Sequence, residues 1–449
     1  MSSVIKGGET LIRTVWVVSL PIIFLEVSEA LVHVTDTALL ARTGTTEVAA
    51  LGLADTILKS WIVVAVGVTE GMLIIIARRF GQGRDRAVGQ TFNSGLLLVV
   101  LVSLLLTGTL KLGSPFLISY VGISHEVGTA VDAYVQIASY GIIFLSITLA
   151  YAALYVGIGK TRVLAAASAI LVLTNLVLSY VLIYGKLGLS PLGIEGAALG
   201  ELGAEVATFG FLTVYTLRRL DLRKYHLFRL EGWHIKLARS VFRISWPVSL
   251  QELLEGLQWF FFFVIVEEIS TEALAWSNII YACFEVLLIP TVAFSLTAFS
   301  MVSNLIGEGR GQRIGELVRA LTLAAYLVTL PFVILGLLFP SVVLSVFTSD
   351  PAVIEGATGG LWVVLLSMLI AVPAELWSAA VSGTGDTDAA LVIEFFFTAV
   401  MLVTAYVAAF VVFPFSLVYV WVSLPVAWLI CLVLSYAWVK TGYWERRQV

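Results

Sequence analysis

Residues 19–41 read SLPIIFLEVSEALVHVTDTALLA, and residues 245–266 read SWPVSLQELLEGLQWFFFFVIV. Both runs are long and apolar enough to cross a bilayer as helices. In each run a proline is followed five and eight residues later by a glutamate, so the same pattern occurs once in each half of the chain. Carboxylates are costly inside a membrane and mark functional sites there, so this duplication predicts a transporter. The two patterns are Pro21 with Glu26 and Glu29, and Pro247 with Glu252 and Glu255.

The composition is typical of a chain embedded in lipid. Mean hydropathy is +1.00 and charged residues make up 12% of the 449 residues, against about 25% in soluble domains. This predicts an all-α, multi-pass protein of the cell (inner) membrane, surrounded by a lipid bilayer. A spanning helix needs about 20 apolar residues, and this length predicts twelve transmembrane helices. The twelve segments are 14–41, 46–77, 87–113, 126–157, 162–185, 193–217, 240–267, 272–305, 315–340, 352–383, 388–413 and 416–439. Turn residues between them include Gly113-Ser114-Pro115 and Pro414.

Basic residues predict the orientation, because cytoplasmic loops are enriched in Lys and Arg. With a cytoplasmic N-terminus, 22 of the 26 Lys and Arg residues fall on the cytoplasmic side. The outer side then holds Arg42, Lys111 and Lys186, and Lys59 lies within the second helix. We therefore expect both termini in the cytoplasm.

The repeat extends well beyond the two acidic helices. Gly83 matches Gly309 and Gly159 matches Gly385, at the same spacing as that between the two prolines. Each copy holds six helices, an even number, so the two six-helix lobes are expected to form a parallel pseudo-two-fold repeat. Duplication for structural reasons alone is the alternative. The expected parts are an N-lobe (1–217), a basic cytoplasmic linker (218–239) and a C-lobe (240–449).

Polar side chains of the first helix share one face. Glu26, Glu29, His33 and Asp36 are spaced 3, 4 and 3 residues apart, which places them on one stripe of a helix. A lipid-facing carboxylate at the membrane centre costs about 2.5–3.5 kcal/mol. These acids are therefore expected to face a wet cavity, to be paired or to be protonated. His33 either hydrogen-bonds an acid one turn away or takes part in a proton relay.

The corresponding face of the seventh helix combines acids with aromatic rings. It carries Glu252, Glu255, Trp259 and Phe262. Carboxylates and aromatic faces together bind organic cations, through charge and cation–π contacts. We therefore expect these four residues, with Glu26 of the first helix, to contact a small organic cation. Packing against lipid is the alternative role of the rings.

Other ionisable residues lie inside predicted helices. Glu201 and Glu205 are one turn apart on the sixth helix, and Glu375 lies in the tenth. Asp55 and Lys59 are four residues apart and are expected to pair within the second helix.

No motif for an enzyme or a cofactor appears. The chain lacks a Walker-type phosphate loop, an HExxH zinc motif and a recognisable nucleophile–base pair. We therefore expect no enzymatic activity, no cofactor, no metal site and no nucleic-acid partner, and we expect a monomer. Cys283 and Cys431 lie far apart inside apolar runs and are expected to be small core residues.

The chain resembles the multidrug and toxic compound extrusion (MATE) family over nearly its whole length. Beside the repeated glycines, the similarity rests on short motifs whose order and spacing match those of the family. These motifs are SLP at 19–21, DT at 36–37, GTTEVAALG at 44–52, LGIEGAA at 192–198 and GTGDT at 383–387.

The resemblance implies export of organic cations, often drugs, in exchange for H⁺ or Na⁺ by alternating access of two lobes. It implies that Asp36 is the coupling carboxylate, Asn175 a polar residue of the same site, and Glu255 the cation-binding acid of the seventh helix. Glu29 is the counterpart of Glu255 in the first half, where some members carry glutamine. Glu375 lies about one turn from the family's acid in the tenth helix.

One departure concerns the ion site. Some members carry an aspartate four residues after the asparagine, where this chain has Ser179. We hypothesise that Glu201 supplies the missing carboxylate. The residues expected to take part in ion coupling are Asp36, Glu29, Asn175, Ser179, Glu201 and His33.

Two other classes of function are weighed against the antiporter. A lipid-precursor or metabolite flippase of the wider superfamily would need a cavity lined by basic residues, and the charges within these helices are almost all acidic. A channel or receptor without coupled exchange is disfavoured by titratable acids inside a two-lobed repeat.

Overall fold

The computed structural model describes residues 8–121, 124–229, 235–412 and 416–446. Residues 1–7 and 447–449 at the termini, which are predicted to be cytoplasmic, lie outside the described residues, as do Pro414 and residues 230–234 of the predicted linker. Helices dominate the described part of the chain. They are α1 Gly8–Leu40, α2 Thr45–Gly81, α3 Asp85–Val121, α4 His125–Ala138, α5 Gly141–Gly157, α6 Arg162–Tyr184, α7 Ile194–Arg219, α8 Leu222–Tyr225, α9 Ile235–Glu267, α10 Thr271–Gly307, α11 Ile314–Leu338, α12 Pro340–Leu344, α13 Pro351–Gly383, α14 Thr387–Val407, α15 Leu417–Trp421 and α16 Ser423–Thr441.

The prediction of twelve transmembrane helices is confirmed. Within the described ranges, 11 helices are long and apolar enough to cross a membrane. Taken together, α4 and α5, which are bent by 47° at a short break, are long and apolar enough for a twelfth span. The predicted fourth segment, 126–157, is therefore two helices rather than one.

The predicted turn at residues 113–115 is wrong, because α3 continues through Pro115 to Val121. Proline lacks an N–H, so the carbonyl four residues earlier, that of Lys111, loses its helical partner. The side-chain amide of Gln136 donates to this carbonyl instead, at 3.1 Å. A neighbouring helix thus satisfies the backbone group that the proline frees, which is how transmembrane helices tolerate proline.

The repeat is visible in the backbone. Gly83 and Gly309 both follow a long helix with φ of 69° and 71°, and Gly159 and Gly385 do so with φ of 67° and 83°. This left-handed conformation is costly for residues with a Cβ, so glycine is favoured at such helix ends. Glycines that correspond in the sequence repeat therefore also have the same backbone conformation.

The described residues form two compact units. One unit combines the residues up to Ile23 with those from Leu250 onward, and the other consists of Phe24–Ser249. Each division falls two residues after a proline that lies inside a helix, Pro21 in α1 and Pro247 in α9. The lobe boundaries expected from the sequence repeat stay a prediction.

Small side chains hold the start of α9 against α2 inside the second unit. Ser245 Oγ donates to the Val68 carbonyl and Ser249 Oγ to the Val64 carbonyl, each at 3.2 Å. A Cβ added at Gly71 would lie 2.8 Å from the backbone of Ser245. Such small-residue contacts let transmembrane helices approach closely.

The same contact recurs in the first unit between α1 and α10. Ser19, the counterpart of Ser245 in the repeat, donates from Oγ to Thr297 Oγ1 at 2.8 Å. Thr297 is in turn the counterpart of Gly71. In each unit, the start of one half's first helix therefore packs against the second helix of the other half.

Candidate functional site

Asp36 lies at the centre of a polar group in the second unit. Its side chain on α1 is only 2% exposed, and Asn175 Nδ2 on α6 donates to Asp36 Oδ2 at 3.1 Å. The same amide nitrogen lies 3.3 Å from Ser179 Oγ, one turn further along α6. The structure thus brings together three of the predicted ion-coupling residues.

Two oxygens of this group have no hydrogen-bond partner in the described part of the chain. They are Asp36 Oδ1 and Asn175 Oδ1, and both are buried. A buried acceptor without a partner is costly, and here both free atoms are acceptors. The site is therefore suited to receive a proton or a small cation.

His33 contacts an acid on a neighbouring helix rather than one a turn away on its own helix. Its Nδ1 lies 3.0 Å from Asp55 Oδ2 on α2. Lys59 Nζ lies 3.3 Å from the same oxygen, so the predicted pair between Asp55 and Lys59 is present. The hydrogen bond expected between His33 and an acid of its own helix is replaced by this contact between α1 and α2. A relay role for His33 stays a prediction.

Glu201 on α7 has a partner that the sequence did not suggest. The hydroxyl of Tyr134 on α4 donates to Glu201 Oε2. Asp36, Asp55 and His33 are all within electrostatic range of this carboxylate. The hypothesis that Glu201 supplies a carboxylate near Asp36 is therefore compatible with the geometry, and its role in coupling stays a prediction.

Glu26 and Glu29 lie on the face of α1 that carries Asp36, but at a distance from it. Glu29 precedes Asp36 by seven residues, about 10 Å along a helix. Glu29 is exposed and Glu26 is half-buried. Glu29 lines a separate cavity with Glu205 of α7, a residue to which the sequence analysis gave no function.

The first unit contains its own acidic group. Glu255 on α9 is exposed and lies within electrostatic range of Glu285 on α10. Glu375 on α13 and Glu394 on α14 also interact electrostatically with Glu255. Glu375 thus lies within electrostatic range of Glu255, and its expected role in substrate binding stays a prediction. Glu252 is half-buried on the same helix, one turn earlier.

The two predicted substrate-binding rings pack inside the first unit. Trp259 is 8% exposed and Phe262 is 0% exposed. The ring centroid of Trp259 lies 4.5 Å from that of Tyr281, and the centroid of Phe262 lies 4.9 Å from that of Trp421. Neither ring faces lipid in this structure. A role in substrate binding stays a prediction for both, and it would require the cluster to open.

The chain matches one known protein family twice, once in each half. The sequence model described as MatE matches residues 21–181 and again residues 247–407. The second match begins at Pro247 as the first begins at Pro21, so the two matches have the offset of the motifs, which confirms the internal repeat.

Known proteins similar to this chain are described as probable multidrug resistance proteins. A Thermotoga maritima protein described as probable multidrug resistance protein NorM is 22% identical over 434 residues, which are 96% of this chain and 92% of that protein. A Bacillus subtilis protein described as probable multidrug resistance protein YoeA is 23% identical and covers 86% of this chain and 83% of its own length.

Solved structures share the fold. A transporter of the MOP superfamily from Pyrococcus furiosus superposes with a TM-score of 0.88 at 20% identity, covering 97% of both chains. An outward-facing multidrug resistance transporter of the same superfamily superposes with a TM-score of 0.85 at 20% identity, covering 97% of this chain and 97% of that one.

Proposed function

Because this chain belongs to the multidrug and toxic compound extrusion family, we propose that it is a secondary active antiporter that exports small organic cations, drugs among them, in exchange for protons. This chain is similar, over most of its length, to relatives that are described as probable multidrug resistance proteins, and their description supports this class of substrate. Export proceeds by alternating access of the two lobes, with Na⁺ as the alternative coupling ion.

One observation carries the proposal: a membrane-embedded carboxylate that is only partly satisfied. Asp36 is bound by Asn175 through one oxygen, while its other oxygen is buried and has no partner among the described residues. An ionised carboxylate in such surroundings is stabilised when it binds a proton or a cation. Asp36 is therefore the residue that we assign to ion coupling.

Protonation of Asp36 has a mechanical consequence in this scheme. It neutralises the acceptor of the Asn175 amide, so the contact between α1 and α6 weakens and α1 repacks. An inward gradient can drive this change, because 100 mV of membrane potential is worth about 2.3 kcal/mol per charge. Pro21 and Pro247 are the points at which α1 and α9 are expected to bend.

The substrate is assigned to the acidic group around Glu255. The carboxylates of Glu285, Glu375 and Glu394 each lie within electrostatic range of Glu255 in one unit. None of the four has a Lys or Arg partner among the described ion pairs. Such a group attracts a cation and repels an anion. In this proposal, Asp36 couples the ion and Glu255 binds the organic cation, so the two roles belong to different carboxylates.

Efflux of ethidium, a fluorescent organic cation, from proteoliposomes tests the proposal. A pH gradient and a Na⁺ gradient are imposed separately on wild type, on Asp36→Asn and on Glu268→Gln, an exposed acid at the end of α9. We expect the pH gradient to drive efflux from wild type and Glu268→Gln but not from Asp36→Asn. Efflux that is driven only by the Na⁺ gradient would identify Na⁺, rather than the proton, as the coupling ion. If neither gradient drives ethidium movement, the proposed export is contradicted.

A further inference from the structure

One face near the start of α9, in the second unit, carries two arginines and two aromatic rings. These residues, which we call the interfacial face of α9, are Arg239, Phe242, Arg243 and Trp246. Their spacings of 3, 1 and 3 residues place them on one stripe of the helix, and all four side chains are exposed. The opposite side of this segment is buried and packs against α2 through Ser245.

The two rings of this face form an exposed apolar pair. Phe242 is 53% exposed and Trp246 is 57% exposed. Their ring centroids are 6.4 Å apart and their planes differ by 26°, so the rings are stacked. Both belong to the first turns of the candidate span Leu237–Glu267. Because Trp is enriched where a helix enters the membrane, at the level of the lipid headgroups, the rings indicate that this face lies at the membrane surface.

The two arginines of this face have no negative partner on the protein. Neither Arg239 nor Arg243 takes part in an ion pair within the described part of the chain. No Asp or Glu occurs between residues 237 and 249. A guanidinium group presents several N–H donors in a plane that matches a phosphate group. Two such groups beside each other therefore offer a site for an anion.

The internal repeat shows that the fold does not require this combination. The counterparts of the four residues in α1 are Arg13, Trp16, Val17 and Leu20. That copy has one arginine instead of two. Its ring is half-buried and packs edge-on against Phe294, with the centroids 5.7 Å apart. Only the copy in α9 therefore joins two free arginines to an exposed pair of stacked rings.

We propose that the interfacial face of α9 binds one anionic phospholipid. Arg239 and Arg243 hold its phosphate, and its glycerol group and upper acyl chains lie on the rings of Phe242 and Trp246. The choice of occupant follows from complementarity of charge and polarity. Free phosphate would leave the rings uncovered, and a zwitterionic lipid would bring its own cation near the arginines. In the predicted orientation this lipid belongs to the cytoplasmic leaflet.

Native mass spectrometry of the purified, full-length protein tests this assignment. The protein is released from micelles that contain phosphatidylglycerol and phosphatidylcholine with identical acyl chains in equal amounts. We expect wild type to retain phosphatidylglycerol about tenfold more often than phosphatidylcholine, since basic residues near the membrane surface attract anionic lipids.

Two variants and one matched control locate the bound lipid. Arg239→Gln/Arg243→Gln should lose the preference for phosphatidylglycerol. Arg218→Gln/Arg219→Gln removes the same charge from exposed positions at the end of α7, on the same predicted side, and should keep the preference. Trp246→Leu keeps both arginines and should retain phosphatidylglycerol several times less often than wild type. If the first variant does not fold, Trp246→Leu decides between a lipid site and general attraction.

Thermal unfolding in detergent separates a lipid from free phosphate. A ligand that binds only the folded state raises the melting temperature. Phosphatidylglycerol should therefore raise the melting temperature of wild type above its value in phosphatidylcholine. Inorganic phosphate, compared with chloride at constant ionic strength, should leave the melting temperature unchanged.

Four results would overturn the proposal. Equal retention of the two lipids by wild type would remove the preference for an anionic headgroup. An equal loss of preference in both double variants would indicate attraction by overall charge rather than a site on α9. Unchanged retention by Trp246→Leu would exclude a role of the rings. A rise in melting temperature with inorganic phosphate that matches the rise with phosphatidylglycerol would identify a phosphate site instead of a lipid site.

Discussion

The two carboxylate oxygens of Asp36 have different surroundings. One accepts a hydrogen bond from Asn175, and the other has no partner in the described residues. The sequence alone placed Asp36 on an acidic stripe, and family resemblance singled out Asn175 and Ser179. Their contact across α1 and α6 agrees with both inferences. The acidic stripe was predictable because carboxylates are unusual inside a membrane, whereas Asn175 and Ser179 were found only through the resemblance, and the role of all three residues in ion coupling stays a prediction.

Other residues of the site could not be predicted, because their partners come from distant helices. In the sequence, Tyr134 is one of many aromatic residues in apolar helices, and only the structure shows that its hydroxyl donates to Glu201. Of the two roles considered for His33, a hydrogen bond within its own helix or a proton relay, the first is not observed, because His33 contacts Asp55 on α2. Spacing along one helix predicts contacts within that helix only, so partners on other helices could not be predicted from it.

Glu201→Gln tests whether the second carboxylate takes part in coupling. If it does, gradient-driven ethidium efflux should fall about tenfold, the effect of losing about 1.4 kcal/mol. Tyr134→Phe removes only the hydrogen bond to Glu201 and should have a smaller effect in the same assay. Normal transport by Glu201→Gln would show that Asp36 works without this carboxylate. Glu195→Gln, at the exposed start of α7, is the control.

At the level of elements, hydropathy predicted the number of spans but not their interruptions. The break between α4 and α5 and the continuation of α3 through Pro115 were both missed. Proline predicts a helix end in most settings, and only the contact of Gln136 with the Lys111 carbonyl explains why it does not do so here. Because that contact joins two helices, no local sequence pattern predicts it.

Gly71→Ala tests the close contact between α2 and α9. The added Cβ would lie 2.8 Å from backbone atoms of Ser245, so the helices must separate, at a cost of about 1–3 kcal/mol. We expect a lower melting temperature in detergent. Gly108→Ala is the matched control, because a Cβ there meets nothing within 4 Å and alanine favours a helix. Equal melting temperatures for the two variants would contradict the importance of this contact.

At the scale of the whole molecule, the internal repeat was predictable and the composition of the compact units was not. The family match and the glycine conformations follow the repeat. Yet each unit contains the start of the first helix of the other half of the sequence, as the contacts of Ser19 and Ser245 show. A repeat defines which residues correspond, but it does not say which copy they pack against.

Cysteine labelling tests the predicted orientation. Lys186→Cys is expected outside and Lys160→Cys inside, and both positions are exposed. A membrane-impermeant maleimide should label the first variant in intact cells and the second only after permeabilisation. The native residues Cys283 and Cys431 are buried and should add little background. The opposite labelling pattern would invert the orientation drawn from the distribution of Lys and Arg.

The central claim is that Asp36 couples the ion while Glu255 binds the substrate. The most direct test measures ethidium binding and ethidium exchange side by side in Asp36→Asn and Glu255→Gln. We predict that Asp36→Asn binds like wild type but does not exchange, and that Glu255→Gln binds about tenfold more weakly, as loss of about 1.4 kcal/mol implies. Wild-type exchange by Asp36→Asn would contradict the account.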